Sequence, residues 1–123
     1  MRPSLGNTVL RTFLPTKDFD LSKRFYEALG FDKVVDGEVA IFDTAEQGGI
    51  ILQRYYNTEW AENLMLSLRV DDLDAWWAHI DSLDLPGNFG VRPPARPKEY
   101  PWGLREVHVI DPAGVLWHIV QAR

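Results

Sequence analysis

Residues 9–31 read VLRTFLPTKDFDLSKRFYEALGF, and a second version of the same phrase begins at residue 64. In the first version Val9 to Pro15 is an extended run. Asp18 then precedes a segment in which Leu21, Phe25, Ala28 and Leu29 recur at helical spacing before Gly30. Asp18 suits the N-cap, because a short carboxylate accepts from the free amides of a helix's first turn. In the second version Leu64 to Val70 is extended and Asp72 takes the capping place. Leu73, Trp76, Trp77, Ile80 and Leu83 then form one stripe, which Pro86-Gly87 is expected to terminate. Asp72 lies 54 positions beyond Asp18.

The segments beyond the two helices extend the repeat. Phe31 to Val35, Val39 to Asp43 and Ile50 to Tyr56 read as three short strands, with Asp36-Gly37 predicted as a tight type I′ hairpin turn. Later, Val107 to Ile110 and Val115 to Gln121 flank Asp111-Pro112-Ala113-Gly114, as the second and third strands of the first half flank residues 43–49. The expectation is an α+β chain of two βαβββ modules, residues 7–58 and 62–122, within one domain over residues 1–123. One helix cannot cover both faces of a four-stranded sheet, so the uncovered faces must meet one another. Two such sheets, side by side in one chain or exchanged between chains, would curl into a cup lined by alternate strand residues.

Composition narrows the classes of function. The 123 residues are 46% apolar and 25% charged, which fits neither a disordered nor a fibrous chain. No apolar window is long enough for a membrane helix, and Met1-Arg2-Pro3-Ser4 runs into polar positions before an apolar stretch could act as a secretory signal, so a soluble, unprocessed protein without membrane partners is expected, with a reducing cytoplasm the natural home of a chain that has no cysteine. The absence of cysteine excludes disulfides, thiolate metal sites and thiol nucleophiles. A net charge of −5 argues against nucleic acid as a partner and suits a cationic small molecule. Rings are plentiful, with five Trp, four Tyr and six Phe, and Trp60 and Trp102 stand in polar or Pro-flanked surroundings.

Asp18-Phe19-Asp20, Phe25-Tyr26, Leu29-Gly30-Phe31, the repeated Asp71-Asp72-Leu73, Pro101-Trp102-Gly103 and Asp111-Pro112-Ala113-Gly114 occur in an order that resembles the glyoxalase/bleomycin-resistance (vicinal oxygen chelate) superfamily. The run from Leu14 to Gly30 and the Pro-Trp-Gly loop are most similar to its bleomycin-resistance branch. The resemblance implies a paired βαβββ fold, commonly a homodimer with ligand cavities built by both protomers. In the enzymes of that superfamily four His, Gln or Glu side chains hold a divalent metal, one from the first and last strand of each module. Carried onto this sequence, those positions are Arg11, Gln53, Met65 and His118. Arginine has no lone pair to give, and the Met65 thioether suits copper(I) rather than a hard cation, so no metal or other cofactor is expected.

Several side chains remain as candidates. Strand pairing that sets Asp111 opposite Gly114 would put His108 and His118 on opposite faces of the sheet, unless a bulge shifts the register by one. His118 could bind ligand, act as acid/base, or satisfy a neighbour's hydrogen bond. Arg11 could meet a ligand carboxylate or be neutralised by Glu38 or Glu106. Trp102 and Gly103 would border a groove, Tyr55 and Trp60 lie on the crossing between modules, and His79 falls at the edge of its helix. The basic, Pro-rich run Arg92 to Lys98 reads as a stiff loop at the rim.

These residues support two functions. One is sequestration without catalysis of a small, planar, cationic molecule, bleomycin-like or an unidentified metabolite, with Arg11, Gln53, Tyr55, Trp60, Met65, Trp102, Gly103 and His118 as binding residues. The other is a glyoxalase-like or related enzyme, metal-dependent through Gln53 and His118 or metal-free with His118 as base.

Overall fold

Residues 1–45 and 47–122 are described by the computed structural model; Glu46 and Arg123 lie outside them. The first module runs β1 (Leu10–Pro15), α1 (Phe19–Leu29), β2 (Asp32–Asp36), β3 (Ala40–Ala45) and β4 (Gly48–Gln53). A short helix, α2 (Thr58–Asn63), leads to the second module: β5 (Met65–Val70), α3 (Leu73–Ser82), α4 (Leu85–Phe89), β6 (Ala95–Glu99), β7 (Arg105–Ile110) and β8 (Leu116–Gln121).

The duplicated phrase folds as duplicated structure. Asp18 accepts from the Leu21 amide at 3.1 Å and Asp72 from the Ala75 amide at 3.0 Å, each satisfying a first-turn donor. Gly30 ends α1 with φ of 109°, a left-handed conformation that favours a residue without Cβ. Strand order is β1-β4-β3-β2 in one sheet and β5-β8-β7-β6 in the other. The pairs β1/β4 and β5/β8 are parallel, and the remaining pairs are antiparallel.

Three local expectations are corrected. Pro86-Gly87 does not end the second helix: α3 stops at Ser82, and Pro86 lies in the first turn of α4, where its fixed φ and missing N–H fit a helix start. Asp36-Gly37 is not a two-residue type I′ turn. β2 and β3 are joined through residues 37–39 and Gly37 has no positive φ, while the Asp36 carboxylate holds Lys23 and Lys33 at 3.0 and 3.1 Å. The basic run at 92–98 is not wholly a loop, because its second half forms edge strand β6, where Pro97 is tolerated.

The two sheets bury alternate residues in a common core. Leu14, Ala40, Phe42, Ile50 and Leu52 from the first sheet join Val107, Val109, Trp117 and Ile119 from the second, with Phe25, Tyr26, Leu29, Leu73 and Ile80 of α1 and α3. Tyr26 ties the modules together: its hydroxyl donates to Asp111 Oδ2 at 2.6 Å and accepts from Trp117 Nε1 at 2.9 Å. Because both sheets turn their buried faces inward to this core, their alternate faces turn outward, away from one another. On the first sheet that outward face carries Arg11, Phe13, Ile41, Asp43, Ile51 and Gln53. No helix among the described residues is long and apolar enough to cross a membrane.

A histidine and carboxylate cluster beneath an exposed tryptophan

Two short loops set the register at the heart of the second sheet. β6 reaches β7 through Pro101-Trp102-Gly103, and β7 reaches β8 through Pro112-Ala113-Gly114. Both close in the same way. The Tyr100 amide donates to Leu104 O and the Gly103 amide to Tyr100 O; the Asp111 amide donates to Val115 O and the Gly114 amide to Asp111 O. Gly103 and Gly114 have φ of 84° and 104°, so each loop is a three-residue connection whose last residue takes the left-handed position. Asp111 Oδ1 fixes the second loop further by accepting from the amides of Ala113, Gly114 and Val115 at 2.9–3.0 Å.

The consequence is a register one residue away from that of a two-residue turn. Asp111 faces Val115, not Gly114, and His108 pairs directly with His118. The two rings therefore share a face, with centroids 4.4 Å apart, instead of lying on opposite sides as a tight turn would require. Ser67 of β5 continues the same row, and Met65 stands two residues further along β5, opposite Leu116.

Glu106 is the hub of this face. Although the face is turned outward, Glu106 is only 2% exposed. Its Oε1 lies 2.7 Å from His118 Nδ1 and 2.9 Å from His108 Nε2, and its Oε2 accepts from Trp102 Nε1 at 2.6 Å. Burial alone would raise this carboxyl, but donation from Trp102, His118 and His108 holds it below its ordinary value. His108 Nδ1 lies 3.2 Å from the Tyr100 hydroxyl. Tyr100 also stacks between rings, 4.5 Å from His108 and 4.8 Å from Trp102, with Lys98 Nζ 5.0 Å from its centroid. Trp102 forms the outer plate and remains 56% exposed. An indole anchored through its N–H with one face open to solvent is built for stacking. Hollows of about 400 Å³, at Ile110, Gly114 and Leu116, and about 310 Å³, at Ser67, Arg69 and Val120, mark the two ends of this face.

The other candidates do not converge here within one chain. Arg11 forms a two-pronged pair with Asp43, Nε to Oδ1 at 2.9 Å and Nη2 to Oδ2 at 3.1 Å. It pairs with neither Glu38, which lies 3.9 Å from Arg54, nor Glu106. This pair crosses β4 at Gly49, the residue registered with both Arg11 and Asp43. A Cβ there would fall 2.5 Å from Asp43 Oδ1, so only glycine leaves room for the bridge. Gln53 shares the outward face of the first sheet, whereas Met65 and His118 lie on that of the second. Tyr55 and Trp60 meet at 6.3 Å on the link between modules, and His79 Nε2 lies 2.9 Å from Ala28 O on a helix surface.

The metal set of the enzymes this sequence resembles does not fit these residues. One position holds a guanidinium already locked to a carboxylate and another a thioether, which leaves only two neutral side chains, Gln53 and His118, for a divalent ion. The sequence model of the Glyoxalase/Bleomycin resistance protein/Dioxygenase superfamily matches residues 8–119. The chain belongs to this superfamily. Among members of the glyoxalase/bleomycin-resistance superfamily, a bleomycin resistance protein from Klebsiella pneumoniae is 28% identical over 112 residues, covering 88% of this chain and 87% of the relative. A bleomycin-binding protein solved in complex with bleomycin superposes with a TM-score of 0.75 at 26% identity, over 93% of this chain and 98% of that one. TnmS3, an antibiotic binding protein from Streptomyces sp. CB03234, gives a TM-score of 0.75 at 27% identity, over 100% and 99%.

The sequence reading names neither Asp43 nor Tyr100 as a binding residue, sets His108 on the face opposite His118, and offers Glu106 only as a neutralising partner for Arg11. The signal for three of them lies in the two Pro-X-Gly triplets, at 101–103 and 112–114, which flank β7 and specify three-residue loops.

Proposed function

We propose that this protein binds and sequesters a small, planar, cationic organic molecule in a groove between two copies of the chain, without chemical turnover. The observation that carries this reading is the ring stack Trp102–Tyr100–His108, anchored by Glu106 and open on its outer side. A flat ligand ring would extend the stack at the Trp102 face. The Glu106 carboxylate and the net charge of −5 favour a cation, although Lys98 sets a local limit on how close that charge comes. The similarity to bleomycin-binding and antibiotic-binding proteins points in the same direction.

The second copy is inferred from the direction of the sheets. Each module leaves one face uncovered, with Phe13 50% and Met65 61% exposed, and the two faces of one chain cannot close on each other. A two-fold pairing would set the Arg11 and Gln53 face of one protomer over the His118 and Met65 face of its partner, forming two grooves per dimer.

Titrating bleomycin into the protein while following tryptophan fluorescence tests the reading. The expected result is saturable quenching in the micromolar range or tighter, weakened about tenfold by Trp102→Ala. Absence of binding to bleomycin and to a panel of planar cationic drugs, or equal binding by Trp102→Ala, would refute it.

A further inference from the structure

Glu106, His108 and His118 present one oxygen and two imidazole nitrogens within 4.8 Å of one another. We propose that these three side chains form a binding site for a divalent transition metal of the zinc and cobalt type. It is distinct from the four-ligand position of the superfamily's enzymes: it draws on adjacent strands of one sheet and shares only His118 with that position.

The chemistry of the donors supports the assignment. Two imidazoles and one carboxylate suit borderline divalent ions and leave further coordination positions open. Glu106 Oε1 already sits 2.7 and 2.9 Å from the two nitrogens. Tetrahedral zinc, with bonds of about 2.0–2.1 Å, needs ligand atoms roughly 3.3 Å apart, so the two oxygen–nitrogen separations would open by about half an ångström while the two ring nitrogens, within 4.8 Å of each other, take up the same spacing. Metal binding at these nitrogens requires each ring to take the other tautomer, its proton moving off the nitrogen that faces Glu106. Neutral His108 can carry its proton on Nδ1, where the Tyr100 hydroxyl at 3.2 Å can receive it, and neutral His118 can carry its proton on Nε2.

The surroundings supply the outer support that metal ligands require. Trp102 Nε1 fixes the free oxygen of Glu106 at 2.6 Å, and Tyr100 both stacks on His108 and meets its second nitrogen. Both histidine side chains keep about a fifth of their surface exposed, at 20% and 21%, so an ion has an entry path and an open position toward the groove. Glu106 and two neutral imidazoles would leave a net single positive charge, which favours an oxygen donor from solvent or a chelating ligand.

Calorimetric titration of tag-free, chelator-treated protein with zinc alone tests the site, with cobalt absorption reporting coordination geometry. One ion per chain is expected, with cobalt giving the intense visible bands of a tetrahedral or five-coordinate site and magnesium giving no response. Glu106→Gln and His108→Phe, the latter retaining a ring against Tyr100, should each weaken zinc by more than about 100-fold. Trp102→Phe, which removes an outer hydrogen bond, should weaken it about tenfold. His79→Ala should leave it unchanged. Circular dichroism and thermal melting establish that each variant is folded. Millimolar or weaker zinc binding by the wild type, or Glu106→Gln and His108→Phe variants that are folded and bind zinc as the wild type does, would overturn the proposal. Because zinc alone is the probe, this result is separate from whether the groove takes an organic ligand.

Discussion

Replacing Tyr26 with phenylalanine tests a polar link through the core that joins the modules. The tyrosine is fully buried, donates to Asp111 at 2.6 Å and accepts from Trp117 at 2.9 Å, while its ring packs against Phe31, Phe42 and Trp117. Tyr26→Phe keeps those ring contacts and removes one oxygen. The lost hydrogen bond to a buried carboxyl is worth about 1.5–3 kcal/mol, and leaving the Trp117 N–H unpaired costs about 1–3 kcal/mol more. The expected loss is therefore about 2.5–6 kcal/mol, a large part of the stability of an ordinary domain. Urea unfolding followed by both fluorescence and far-ultraviolet circular dichroism would measure it. A Tyr26→Phe/Trp117→Phe double variant should lose less than the sum of the two singles, because the first substitution leaves no oxygen for the indole to meet. A loss below about 1 kcal/mol with an unchanged m-value would refute the reasoning and with it the view of Tyr26 as the bolt between modules.

Gly49→Ala should lower stability by about 1–3 kcal/mol in urea unfolding, since its Cβ would meet both Asp43 Oδ1 and the Phe42 carbonyl at 2.5 Å; an unchanged midpoint would exclude the crossing Arg11–Asp43 pair. Glu106 has a folded value held below its ordinary one, so the stability it contributes is present above the usual glutamate range, near about 4.3, and is lost as pH falls through the depressed value. The Glu106→Gln variant should therefore show a shallower loss of stability on acidification than the wild type, and parallel pH profiles would contradict the hub role. Phe13→Asp places a charge on the uncovered face of the first sheet, where Phe13 is 50% exposed. Sedimentation equilibrium should find a dimer for the wild type and a folded monomer for this variant; a monomeric wild type would count against the two-copy groove.

The strand-and-helix repeat was legible because its signals are local. Asp18 and Asp72 needed only their own first turns to act as caps, Gly30 only its own φ, and the apolar periods of α1 and α3 select their buried stripes without reference to distant residues. The same holds for the position of Trp102, whose Pro and Gly neighbours exclude it from a strand interior. Local signals failed where register entered. A strand inverts its faces with a shift of one residue, so reading Pro112-Ala113 as a two-residue turn separated His108 from His118, and the three-residue loop reunited them. Likewise, nothing near Arg11 in the sequence announces Asp43, because the two meet only when β1 and β3 flank Gly49 on β4.

The order of residues along the chain was thus enough to specify the duplicated module, its helix caps and its alternating strands, since these depend on interactions among residues a few positions apart. Packing in three dimensions decided which polar groups share a face, that Glu106 gathers Trp102, His108 and His118, and that the outward faces of the two sheets diverge. Those outcomes depend on loop-set register and on a core that both sheets must bury at once, and neither quantity is carried by any short stretch of chain.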